Sequence, residues 1–267
     1  MTRAIDDSVV LITGGGTGIG AATAARLAAD GARVVVVGRR EGPLRDIADR
    51  TGAAYVVADA ADTAQAAAAI ADTVARFGRL DAVVANAGGH GFAALAETDD
   101  AGWEASIRAN LSSAFVMARE AIGALVAARG SLVVVSSLAG LAAGPSTVGY
   151  TTTKHALIGL MRSVARDYGA HGVRANAICP GWVRTPMADA EMDEFASAAG
   201  LADREAAYAT VTRDVPLARA ARPAEVASVI RFLVSPDASY VSGAVLAVDG
   251  GSTTVDVPTI AFARAGL

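Results

Sequence analysis

An uninterrupted apolar run, Val9–Thr13, passes straight into Thr13-Gly14-Gly15-Gly16-Thr17-Gly18-Ile19-Gly20, and an alanine-rich helical stretch follows. Strand, glycines and helix in that order leave few folds open. Glycine lets the backbone turn sharply and approach a bound group closely. The next helix offers free N–H groups and the positive end of its dipole to whatever sits at the turn. A pyrophosphate suits that place. A nucleoside-triphosphate loop would need Gly-Lys followed by Ser or Thr, and the chain has no such sequence here.

The rest of the chain alternates short β-branched runs with longer Ala/Leu-rich segments. Strands are predicted at 9–13, 34–37, 55–58, 82–85, 132–136, 173–178 and 244–248. Most are apolar throughout, as strands buried on both faces of a parallel sheet must be. Helices are predicted over 19–29, 62–77, 103–128, 150–169 and 223–233, with Gly31 and Gly78 as stops and Pro223 in a first turn. The pattern predicts an α/β fold: a doubly wound, seven-stranded parallel sheet, Rossmann-like, with helices on both faces. No Pro-, Gly- or Ser-rich linker divides it, so residues 1–267 read as a single dinucleotide-binding and catalytic domain. Residues 186–215 carry no strand signal and are expected to form a helical insertion over the substrate end, a lid or a plain surface hairpin. The tail, 252–267, holds Val255, Val257, Ile260 and Phe262, and is expected to pack on a neighbouring subunit.

Charge and composition narrow the function. Hydrophobic residues make up 53% of the 267, charged residues 19%, and the net charge is −4. That balance gives no basic footprint for nucleic acid and no polybasic patch for a membrane. No apolar run reads as long enough to span a bilayer, and the acidic start argues against a signal peptide. The one cysteine, Cys179, requires no oxidising compartment and reads as a buried, inert thiol. A cytoplasmic protein is expected. The three histidines and the cysteine are scattered, so no metal site is expected; His155 and His171 read as surface residues.

The end of the second strand speaks to the nucleotide. NAD sites place an acid about 20 residues beyond the glycines, for the ribose 2′-hydroxyl. Here the sequence is Val37-Gly38-Arg39-Arg40. Two arginines suit a 2′-phosphate, so NADP is expected as the preferred cofactor, with NAD possible. Further on, Tyr150 and Lys154 stand four apart, on one helix face. A lysine ammonium beside a tyrosine hydroxyl favours the phenolate and would bring its pKa toward neutrality. Ser136 and Ser137 end the fifth strand, where open parallel sheets bind their ligands, and the loop-like 138–149 could bring Ser137 to Tyr150.

These residues together resemble the short-chain dehydrogenase/reductase family in its compact single-domain form, from Thr13 to Gly251. The family's glycine pattern is met by Thr13, Gly14, Gly18 and Gly20. Its Asn-Ala-Gly signature appears as Asn86-Ala87-Gly88, with Ala85 where another asparagine usually stands. Its helix asparagine matches Asn110, and its Ser, Tyr and Lys match Ser137, Tyr150 and Lys154. Pro180-Gly181-Trp182-Val183-Arg184-Thr185 resembles the segment that closes over the nicotinamide. Asp59 matches the acid that meets the adenine, and Asp249-Gly250-Gly251 the closing motif.

The resemblance implies roles. Tyr150 is the general acid in reduction and the base in oxidation, and Ser137 polarises the substrate oxygen. Lys154 binds the nicotinamide ribose and depresses the Tyr150 pKa, and Asn110 anchors a water in a proton relay. Thr13, Gly14, Gly16, Thr17, Gly18, Ile19 and Gly20 line the pyrophosphate, Arg39 and Arg40 the 2′-phosphate, and Asp59 and Ala60 the adenine. Asn86, Ala87, Gly88, Pro180 and Gly181 line the cofactor, and Val183 and Thr185 hold the carboxamide. His90, Leu138, Gly144 and Trp182 are expected to line a largely apolar substrate pocket, with Arg184 as the one cation able to anchor an acidic substrate. A homodimer or homotetramer is implied. The expected activity is hydride transfer between NADP(H) and a carbonyl or secondary alcohol. The alternatives are an NAD-dependent alcohol dehydrogenase of the same family, a non-catalytic dinucleotide-sensing protein or scaffold, and epimerisation or dehydration with the cofactor retained.

Overall fold

The computed structural model describes residues 5–267. Seven strands form one sheet: β1 (Val9–Thr13), β2 (Arg33–Gly38), β3 (Ala54–Val57), β4 (Ala82–Ala85), β5 (Ser131–Val135), β6 (Arg174–Pro180) and β7 (Val245–Val248). Their order is β3-β2-β1-β4-β5-β6-β7, and every neighbouring pair is parallel. The expected sheet is present, with strand ends moved by a residue or two. The apolar runs are explained by alternation, since successive side chains leave a strand on opposite faces. Leu11, Val35, Val83 and Leu132 enter a core with Met117, Leu125, Leu157 and Met161. Ile12, Val34, Val84 and Val133 enter a second core with Leu27, Leu44, Ile47, Val226, Ile230 and Leu233. Over the central strands β1, β4 and β5 both faces are covered, so a polar residue at either phase there would be buried.

The first core is closed by α3 (Thr63–Phe77), α5 (Ser113–Ala128) and α6 (Val148–Tyr168), the second by α1 (Gly18–Ala29), α2 (Glu41–Thr51) and α9 (Pro223–Val234). The α2 helix is not announced by apolar periodicity. It buries only Leu44 and Ile47, and Gly42 and Pro43 give its first turn the look of a loop; proline is tolerated there because the first-turn N–H has no helical partner.

The helix expected over 103–128 begins earlier and is not regular. It runs as α4 (Asp100–Ser106), a π-helical segment (Ile107–Ser112) and α5. This continuous stretch, Asp100–Ala128, is long and apolar enough to cross a membrane by length and composition, contrary to the sequence reading. It packs on α3, β4 and α6, burying Met117, Ala121 and Leu125.

Residues 186–215 hold α7 (Pro186–Ala199) and α8 (Arg204–Val211), joined through a small core of Ala188, Met192, Ala196, Ala207 and Tyr208. The tail forms short turns and α10 (Ile260–Arg264), tied back by Arg264 to Asp214 at 2.7 Å, and leaves Val257 and Phe262 exposed. Strand order reverses beside β1, because β2 and β3 lie to one side and β4 to β7 to the other. A crevice opens at the carboxyl ends of strands at such a reversal.

Candidate active site

A cleft of about 1330 Å³ occupies that crevice. At one end lies the turn between β1 and α1. Thr17 is extended (φ −145°, ψ 167°) and its side chain makes no capping bond, and the first turn of α1 carries no acid. The N–H groups of that turn therefore face the cleft without a side-chain partner. Gly20 has to be glycine: a Cβ there would strike the Gly14 carbonyl and lie 2.8 Å from Asn86 Nδ2. Asn86 ties the turn to the end of β4, donating to the carbonyls of Thr13 (3.0 Å) and Gly14 (3.2 Å). Thr13 Oγ1 accepts from the backbone N–H of Asn86 and of Ala87, each at 3.0 Å. These groups fit a pyrophosphate: free N–H donors, no competing acid, and glycines where side chains would obstruct.

Beyond β2, Arg39 and Arg40 are exposed on the cleft and make no ion pair or hydrogen bond among the described residues. Asp59 lies beside them. Its carboxylate accepts from Arg108 Nη2 (2.7 Å) and from the Ala61 N–H (2.9 Å), and these bonds hold its pKa low against the cost of burial. Ala60 is buried next to it and also lines the cleft.

At the other end Ser137, Tyr150 and Lys154 come together. The Ser137 hydroxyl accepts from the Ala139 N–H at 3.1 Å and lies close enough to the Tyr150 phenol to act on its ionisation. Lys154 is buried. Its Nζ donates to the Val135 carbonyl at 3.0 Å and lies 5.4 Å from the centroid of the Tyr150 ring. Burial lowers the Lys154 pKa to about 8. Burial pushes the Tyr150 phenol above its usual 10, the neighbouring Ser137 hydroxyl pulls it back, and the Glu191 carboxylate pushes it up again. Lys154 is not among the causes of the Tyr150 shift, because its ammonium is turned to the Val135 carbonyl.

Asn110 is wholly buried in the π-helical segment. Its amide accepts from the Gly89 N–H (2.7 Å) and donates to the His90 carbonyl (2.8 Å), so it braces the loop after β4. The extra residue of a π turn is what aims a mid-helix side chain this way. Gly88 is pressed between Asn110 and Lys154, where a Cβ would lie 2.9 Å from Asn110 Oδ1.

Other expected residues fall on the same cleft: Gly16, Gly18, Ile19, His90, Leu138, Gly144, Pro180, Gly181, Trp182, Val183 and Thr185. Thr185 caps α7 by accepting from the Ala188 N–H at 3.2 Å, and Val183 is buried in a parallel bridge to Ala221. Arg184 is not the anion anchor that the sequence suggested. Both its terminal nitrogens are held by Glu205 at 2.6 Å, and it lies over the Tyr208 ring.

Among the lining residues without a sequence signal, two act on Tyr150. Phe92 stacks on Tyr150 with ring centroids 4.8 Å apart, and Glu191 reaches the cleft from α7. Phe92 sits in an irregular loop, and Glu191 stands far along the chain in a polar helix; only the fold brings either to Tyr150.

The chain also matches known proteins along most of its length. A family model described as enoyl-(acyl carrier protein) reductase matches residues 14–253. The chain is 50% identical over 257 residues to the protein MoaE of Klebsiella aerogenes, covering 96% of this chain and 99% of that one. It is 40% identical over 257 residues to an A-factor type gamma-butyrolactone 1'-reductase (1S-forming) of Streptomyces virginiae, covering 93% of this chain and 96% of that one. The crystal structure of levodione reductase superposes with a TM-score of 0.88 at 34% identity, over 94% of this chain and 99% of that one. With a family model over most of its length and relatives that align nearly end to end, the chain belongs to the short-chain dehydrogenase/reductase family, as an oxidoreductase acting on hydroxyl groups.

Proposed function

We propose that the protein passes a hydride between NADP(H) and a ketone or secondary alcohol, with Tyr150 giving or taking the proton. The observation that carries this reading is the content of one cleft: Tyr150, Ser137 and Lys154 at one end, and two unpaired arginines, Arg39 and Arg40, at the other. The nicotinamide, when bound, supplies the hydride in reduction and accepts it in oxidation. The remaining work falls to the chain's own residues. Reduction leaves charge on the substrate oxygen, and a positioned acid must quench it. Burial keeps the Tyr150 phenol protonated at neutral pH, which is the form that donates. Ser137 shares that hydroxyl and polarises the same oxygen. Lys154 stands beneath the Tyr150 ring as the group that would hold the nicotinamide ribose. Asn110 fixes the loop Gly88–Gly89–His90 against which that ribose would lie, and a water near it would connect Lys154 to solvent. The main chain at Val183 and the hydroxyl of Thr185 would receive the carboxamide.

NADP(H) is favoured over NAD(H) because the position of the ribose-binding acid is taken by arginine. A planar guanidinium meets a 2′-phosphate with two parallel bonds.

Calorimetric titration with NADPH and with NADH tests the nucleotide, and Tyr150→Phe tests the acid. Tighter binding of NADPH is expected, and Arg39→Asp should abolish the preference. Tyr150→Phe should lower turnover by roughly 100- to 10,000-fold, the usual worth of a positioned acid, while NADPH binding stays close to wild type. Undiminished turnover would remove Tyr150 from the role, and equal affinity for the two nucleotides would remove Arg39.

A further inference from the structure

The substrate end of the cleft carries one charge that nothing balances. On α7, Ala188, Met192 and Ala196 recur at a spacing of four and turn into the small core shared with α8. Met187 and Glu191 share the neighbouring stripe, and both line the cleft. The surrounding arginines of this segment are already committed. Arg184 is clamped by Glu205, and Arg204 pairs with Asp193 and, at 3.4 Å, with Asp189. Asp189 also accepts from the Tyr208 hydroxyl at 2.7 Å. Lys154 is turned to the Val135 carbonyl, and Arg39, Arg40 and Arg108 line the opposite end near Asp59. The Glu191 side chain has no hydrogen bond and no ion pair among the described residues, and the charge that shifts its ionisation is another acid, Glu194.

We propose that Glu191 selects the substrate: the site takes a ketone or secondary alcohol that also carries a cationic amine, and the Glu191 carboxylate receives that amine. This rests on the reaction read above. A substrate entering the cleft strips water from Glu191. An unpaired carboxylate then loses solvation that a neutral substrate cannot replace, and an anionic one adds repulsion. An ammonium replaces the lost water with a charge-assisted bond. The walls suit the rest of such a molecule, because Phe92, Trp182 and Met187 supply aromatic and thioether surface in the same cleft. Burial already raises the Glu191 pKa, the direction expected of an acid that lacks its partner.

Three ketones of similar size test this at neutral pH: dimethylaminoacetone, which carries the cation; methyl isobutyl ketone, its uncharged isostere; and levulinate, which carries the opposite charge. The readout is the ratio of kcat/KM values, in which any effect of Glu191 on Tyr150 cancels. The wild type should prefer the amine over its isostere by about tenfold, the scale of one charged hydrogen bond, and should turn over levulinate worst. Glu191→Gln should bring the ratio of amine to isostere near one and improve levulinate. A wild type without the preference, or a Glu191→Gln variant that keeps it, overturns the proposal. Calorimetric binding of the same ketones to the protein saturated with oxidised NADP adds an arm without chemistry. If no ketone turns over, the reading of the reaction is at fault, and binding still decides Glu191: amine affinity lost in Glu191→Gln supports the proposal, and equal affinity overturns it.

Discussion

Lys154 is the only lysine in the chain, against 22 arginines, and that makes its ionisation directly observable. Its pKa falls from 10.5 to about 8 because the side chain is buried beside Tyr150 and Cys179. Lysine labelled with 13C and 15N should give one side-chain resonance, titrating near 8 in the folded protein and near 10.5 in denaturant. The stability consequence has a definite sign. Between pH 8 and 10.5 the unfolded chain binds the proton that the folded chain has released, so this group makes stability rise with pH across that window. Below it the buried charge costs about 3 kcal/mol in full. Chemical denaturation at several pH values should therefore show the wild type gaining on Lys154→Met as pH rises from 8 to 10.5; a constant difference would place the ammonium in a solvated setting. Tyr150 and Lys154 were legible from their spacing because a helix makes neighbours of residues four apart. The direction of the Tyr150 shift was not legible, since it depends on how deeply the phenol is buried and on Glu191, which lies on a distant helix.

At the scale of elements, the cleft depends on a latch between two strand ends. Thr13 at the end of β1 receives two backbone N–H groups from the loop after β4, and it is almost fully buried. Thr13→Val keeps the shape and removes the acceptor. Two part-buried donors at the cleft wall then lose their protein acceptor, which should lower the unfolding free energy by about 1 kcal/mol. Nucleotide affinity should fall with it, because the Gly14 turn is held from the same loop by Asn86. Urea denaturation and NADPH titration of the variant measure both, and unchanged affinity would mean that the turn keeps its form unaided. The strands of this latch were readable in advance because both faces of the sheet are covered, and a short apolar run between turn residues fits few places but the middle of such a sheet. The α2 helix was not, since two apolar residues are enough to seat it under β2. Nor was the π turn that carries Asn110. Its one-residue change of phase leaves the composition of the helix unaltered, and the reason for it is the loop at Gly89 and His90, distant in sequence.

For the whole molecule, the unfinished edge of the sheet is the informative region. β1, β4 and β5 are buried at every residue, as parallel strands should be, whereas no residue of β7 is fully buried. Leu246 and Val248 pack on the core that holds α9, and Val245 on the opposite core. Ala247 shares the Val245 face and is exposed. Phe232 on α9 is also exposed, as is Tyr240 just before β7. A parallel edge strand with bare apolar side chains invites a partner. A second copy can supply one across a two-fold axis, where each chain covers the other's β7 and α9 with the same surface. Light scattering at micromolar concentration should then give at least twice the 26.7 kDa of one chain. Ala247→Glu should return it to a monomer. The glutamate would be harmless on an exposed edge but would face its own copy across the axis, with like charges opposed and both desolvated. A wild type of single-chain mass would mean that β7 stays bare. An assembly that persists in Ala247→Glu would place the contact elsewhere, with the exposed Val257 and Phe262 of the tail as the next surface to change.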